Sequence, residues 1–105
     1  MGDRGIAVLR FPKEYEADLA VYSHWTGSSL QTQVSDIANS PSFQSRLGDV
    51  SYAARIMVDQ LTKDARDEET GYGVFPVVKR AVPTDFSDGK VEVAIDLTTG
   101  EVTWE

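Results

Sequence analysis

The stretch Tyr22-Ser-His-Trp-Thr-Gly27, at an expected strand end that runs into a helix start, is the most distinctive of the chain. His24 is the single histidine, an imidazole that can serve as acid, base or hydrogen-bond partner. Trp25 adds a flat face suited to stacking, and Gly27 lets a backbone approach a ligand closely. Ser28 follows at an expected helix start, where free N–H groups and the positive dipole end can hold an anion. Arg55, inside an apolar helix pattern, could grip a carboxylate such as Glu69, or a ligand anion, through two parallel bonds. A structural reading fits the same residues. Trp25 would then be a core aromatic, His24 would bond a neighbour, Gly27 would shape a turn, and Arg55 would snorkel to the surface.

Other combinations carry less. Ser28, His24 and an acid can be arranged as a nucleophilic triad on paper, but no nucleophile-elbow pattern surrounds the serine. Glu68 and Glu69 are adjacent and read as solvated, and Gly71-Tyr-Gly73 is too short for a phosphate loop. One histidine and no cysteine leave no ligand-spaced metal cluster, so neither metal nor cofactor is expected.

The chain has 105 residues, the size of one domain, with 41% apolar residues and no cysteine to form disulfides. A net charge of −7 repels phosphate backbones and disfavours direct nucleic-acid binding. The acids group at Asp64, Asp67, Glu68 and Glu69 and again from Asp85 to Glu105. They read as a solvating surface, or as a patch that attracts a basic partner or mimics nucleic acid. No apolar run has the length of a membrane span and no signal sequence follows Met1, so a cytoplasmic location is expected.

The elements that must position these residues follow from periodicity. Ile6 to Phe11 and Asp18 to Trp25 read as strands joined by a polar connection at Pro12 to Glu16. The alternation places Leu19, Val21, Ser23 and Trp25 on one face, and Ala20, Tyr22 and His24 on the other. Ser28-Ser-Leu-Gln31 has capping-box spacing, and Leu30, Val34, Ile37 and Ala38 form the apolar stripe of a helix ending at Asn39-Ser-Pro41. Phe43 and Leu47 lie in a connection that can form a helical turn. A second helix, capped at Asp49 or Ser51, carries Val50, Ala53, Ala54, Met57, Val58, Leu61 and Ala65. Val74 to Val82 reads as an edge strand because of Pro76. After a turn at Asp88-Gly89, Val91, Val93, Ile95 and Leu97 share one face of a strand. Thr99-Gly100 then turns into a last strand with Val102 and Trp104. The expected fold is a single α+β domain over residues 1–105, with chain order ββ-αα-βββ. Its antiparallel sheet of about five strands carries two helices on one face.

Four stretches, Met1-Gly-Asp-Arg4, Tyr22-Ser-His-Trp-Thr-Gly27, Tyr52-Ala-Ala-Arg-Ile56 and Glu69-Thr-Gly-Tyr-Gly73, together resemble a family of small uncharacterised proteins. That family occurs in bacteriophages, prophage regions and some bacterial and archaeal genomes. The chain departs from its pattern at Ile6, where members usually carry asparagine, and at Ala53, where leucine is common. The resemblance implies a phage or mobile-element origin and brings no known activity. Carried over by position, it points to Arg4, Tyr22, His24, Trp25, Gly27, Arg55, Glu69 and Gly71. The leading expectation is a viral accessory protein that binds a host protein, such as a defence nuclease or a transcription or replication component. A nucleotide-binding protein, with Trp25 stacking the base while Arg55 and Ser28 hold phosphate, is the second. An enzyme using His24 as acid or base is the third.

Overall fold

A computed structural model describes residues 3–65, 71–78, 85–86 and 89–103. The first hairpin pairs β1 (Gly5–Arg10) with β2 (Ala17–Ser23), in register from Gly5 opposite Ser23 to Leu9 opposite Leu19. Its connection is a 3-10 turn at Lys13–Tyr15 that closes on Glu16, whose φ of 59° is left-handed. Buried Asp18 clips the hairpin where its connecting loop begins. It accepts the Phe11 N–H at 2.9 Å and faces Arg10 at 3.6 Å.

Three helices follow: α1 (Leu30–Ala38), α2 (Pro41–Gln44) and α3 (Val50–Thr62). The short α2 occupies the connection in which Phe43 was expected to sit on a helical turn. Leu30, Val34, Phe43, Ala53, Met57 and Leu61 point to one core with Leu9, Val21, Val93, Ile95 and Leu97 of the sheet. The helices therefore cover a single face, as the apolar stripes require. Among the described residues, no helix is long and apolar enough to cross a membrane.

The remaining strands are β3 (Tyr72–Val78), β4 (Asp85–Phe86), β5 (Gly89–Asp96) and β6 (Val102–Thr103). The sheet runs β3-β2-β1-β5-β4, with β6 added beside β5. β3 lies at the end of this path, where the missing N–H of Pro76 is tolerated. The fold is α+β, yet the sheet is not wholly antiparallel, because β1 and β5 run parallel. Alternation says which faces are buried. It does not say in which direction a distant strand will enter, and β5 joins β1 from beyond β2, β3 and β4 in the chain.

A second departure occurs inside β5. Ile6 pairs with Val91 but Ala7 pairs with Val93, so Glu92 is the extra residue of a bulge. The bulge reverses the phase before it. Val93, Ile95 and Leu97 join the helical core, whereas Val91 packs on the opposite face with Ile6, Val8, Ala20, Val77 and Ala94. The strand expected to continue to Val82 is described only to Val78. Trp104 and Asp88 also lie outside the described residues.

Phe43 is the largest fully buried side chain among the described residues, although it comes from a helix of four residues. Phe43→Ala should lower unfolding free energy by about 3–5 kcal/mol, as read by urea denaturation.

Candidate functional site

Strand β2 stops at Ser23, and a hydroxyl network holds the turn that follows. Ser23 is fully buried and its Oγ accepts the Thr26 N–H at 3.0 Å. The two hydroxyls of Ser23 and Thr26 lie 2.6 Å apart, and Thr26 Oγ1 lies 3.2 Å from the Tyr72 hydroxyl on β3. The His24 N–H donates to the Gly71 carbonyl at 2.9 Å. Short polar side chains that bond their own backbone stabilise such non-helical turns. The turn is thus tied at two points to the start of the neighbouring strand.

The far side of the turn is closed by the amino-terminal segment. The Gly27 N–H donates to the Asp3 carbonyl at 2.7 Å. A Cβ placed on Gly27 would lie 2.4 Å from the Arg4 carbonyl carbon and oxygen, closer than any real contact. Gly27 therefore admits the chain's own backbone, not a ligand. Arg4 contributes that backbone contact, while its exposed side chain stands outside it.

The helix start is also taken. The expected capping box does not form, because Gly27–Ser29 is a 3-10 turn and α1 begins only at Leu30. The Asp3 carboxylate instead accepts the Ser28 N–H, at 3.0 and 3.1 Å to its two oxygens, together with the Ser28 hydroxyl. These hydrogen bonds, hydroxyl first and backbone second, hold the Asp3 carboxyl below its ordinary pKa. Gln31 turns elsewhere and donates to the Glu92 carbonyl at the bulge, at 3.1 Å. A carboxylate at this helix start fills the place proposed for an anion and repels one.

Three aromatic rings meet at the outer surface of the turn. The Tyr22 hydroxyl and His24 Nδ1 share a 2.7 Å hydrogen bond, although β2 ends at Ser23 and not at Trp25 as the alternation suggested. In the neutral Nε2–H tautomer the phenol donates. The imidazole stands perpendicular to the Trp25 indole, with centroids 4.3 Å apart. Trp25 is 58% exposed, which removes the reading of a buried core aromatic. It lines two clefts. One, of about 420 Å³, is bounded by Tyr22, His24, Gly71 and Tyr72. The other, of about 470 Å³, opens between the later turns of α1 and the end of α3. Gly71 lies against the indole, and its φ of 107° suits glycine.

Arg55 does not belong to this corner. It is exposed and lines a separate apolar groove of about 430 Å³ with Leu19, Val58 and Val74. The guanidinium, the indole and the helix start therefore do not converge, and the phosphate grip built from them is not assembled. Glu69 lies outside the described residues. The structure brings together Tyr22, His24, Trp25 and Gly71, and it adds Thr26 and Tyr72. Asp3 and Tyr72 were missed although both fall inside stretches singled out in the sequence. No local spacing links residue 3 to residue 28, or residue 26 to residue 72.

The two roles separate by mutation. Gly27→Ala should cost about 2 kcal/mol or more, because backbone cannot move aside. Trp25→Ala should cost about 1 kcal/mol or less, since most of the ring is already in water; chemical denaturation of both variants checks the contrast. Asp3 gives a pH signature of known sign. A carboxyl with a lowered folded-state pKa stabilises above its ordinary value and ceases to as pH falls through the folded-state value. The advantage of the parent over Asp3→Asn in thermal melts should thus be full at neutrality and shrink below about pH 4.

No family model, no curated protein and no solved structure matches this chain, so its functional reading rests on the corner at Trp25.

Proposed function

We propose that the chain is a small phage-encoded accessory protein that acts in the host cytoplasm by binding a host protein through the Trp25 corner. The phage origin rests on the four family-like stretches. The binding surface rests on one observation: a tryptophan 58% exposed on a turn tied down by hydrogen bonds. Tryptophan is a preferred anchor at protein interfaces, where a large rigid ring loses little conformational freedom on burial. His24 and Tyr22 hold the ring from one side, so the anchor is formed before a partner arrives. The charge of −7 supports a protein partner rather than a phosphate backbone.

The clefts beside Trp25 support a second reading, a small-ligand site, because their volumes fall within the roughly 300–1,000 Å³ usual for such sites. A nucleotide is the less suitable occupant, with Asp3 at the helix start and Arg55 in another groove. For the acid–base reading, His24 is bonded to a phenol, and among the described residues neither a serine hydroxyl nor a carboxylate bonds its ring.

Tagged protein incubated with host lysate should retain one stoichiometric partner. Trp25→Ala should lose it while melting within a few degrees of the parent. Capture that survives this substitution would sink the interface. A thermal-shift panel of nucleotides and cyclic nucleotides should give no response, and a clear rise with one of them would put the small-ligand reading first.

A further inference from the structure

We infer that the cleft between α1 and α3 receives an arginine side chain of the partner protein. The inference rests on the binding role proposed for Trp25 and names the chemistry that its larger cleft selects. Trp25 supplies an open aromatic wall, and Tyr72 adds a second ring with its hydroxyl. Asp36 from α1 and Asp64 from the 3-10 turn after α3 contribute exposed carboxylates. Gln60, Leu61, Lys63 and Asp64 place the carboxyl-terminal end of α3 at the cleft, where the helix dipole is negative. Lys63 is the opposing cation among the described lining residues, so carboxylates outnumber it there.

Gln33 adds an independent sign. Its side chain lines the cleft, and its Oε1 is buried without a hydrogen-bond donor. A buried acceptor left unmet costs about 1–3 kcal/mol. Rotation of the carboxamide toward a donor in the cleft removes that cost. The lining thus offers two carboxylates and two carboxamide oxygens as acceptors.

Arginine fits this lining better than the alternatives. A guanidinium is planar and stacks on indole, it carries a delocalised charge, and its five N–H groups can serve a carboxylate and an amide oxygen together. Lysine offers the charge without the plane. A neutral planar group offers the plane without the charge. An anion meets two carboxylates and a negative helix end.

The test uses the isotopically labelled full chain and three capped tripeptides, Gly-Arg-Gly, Gly-Lys-Gly and Gly-citrulline-Gly, followed by NMR. The arginine peptide should give saturable shifts at the Trp25 indole N–H and the Gln33 and Gln60 amides. Citrulline, which has the same shape without the charge, should bind at least about tenfold more weakly. Asp36→Asn combined with Asp64→Asn should weaken the arginine peptide to the citrulline level. Equal binding of arginine and citrulline would overturn the inference, as would preference for lysine, or shifts absent from these three side chains. The two proposals fail separately. Partner capture that depends on Trp25 but ignores the Asp36/Asp64 double variant keeps the interface and removes the arginine. Saturable arginine binding without any captured partner removes the proposed host interaction and keeps the pocket.

Discussion

At the crossing of β1 beneath the turn after β2, backbone touches backbone, and the arrangement of the whole corner follows from that contact. A Cβ on Gly5 would lie 2.7 Å from Gly27 Cα, and one on Gly27 would meet the Arg4 and Gly5 backbone. Two glycines at this crossing let the amino-terminal segment pass close enough for the Asp3 carbonyl to accept the Gly27 N–H. Asp3 is then within reach of Ser28, so its carboxylate caps the start of the helical segment. With the inner side of the turn filled by backbone and hydroxyl bonds, the Trp25 ring is left to face outward. The exposed anchor is a consequence of close packing behind it.

The same crossing explains the irregularity in β5. β1 lies between β2 and β5 and is buried on both faces, with Ala7 and Leu9 toward the helices and Ile6 and Val8 away from them. The bulge at Glu92 falls where β1 enters the sheet, opposite the step from Ile6 to Ala7. It changes which face Val91 occupies and leaves the Glu92 carbonyl to accept the Gln31 side chain. A bulge of this kind bends the strand and re-aims the groups beside it. A helix residue expected in a cap thus becomes a tie between α1 and the sheet.

Much of this architecture is legible in the chain because local patterns carry it. The stripe Leu30, Val34 and Ala38 and the stripe Val50, Ala53, Met57 and Leu61 mark α1 and α3, and both stripes are buried. The alternation expected to run to Trp25 stops with β2 at Ser23. His24 and Trp25, expected on opposite faces, therefore stand ring to ring at 4.3 Å, while Tyr22 and His24 share a hydrogen bond. Pro76 correctly marked an end strand. The alternation misled at Val91, since one inserted residue reverses every face before it. It could not reveal the parallel pair, since a strand's periodicity is the same in either direction. For the site, the chain marked Tyr22, His24 and Trp25 but wrongly joined Arg55 and the Ser28 helix start to them.

What the sequence determined alone is what depends on nearest neighbours: the long helices α1 and α3, most strands and the acidic balance. Periodicity and side-chain chemistry act over a few residues and need no distant partner to be read. Tertiary structure decided the rest. It alone decided that Asp3 would take the helix start from Gln31 and that Gly27 would admit backbone instead of ligand. It also set Arg55 in a different groove from Trp25, and turned that indole into water. Each of those outcomes joins residues far apart in the chain, where loop closure and packing choose among many contacts that local spacing leaves equally open.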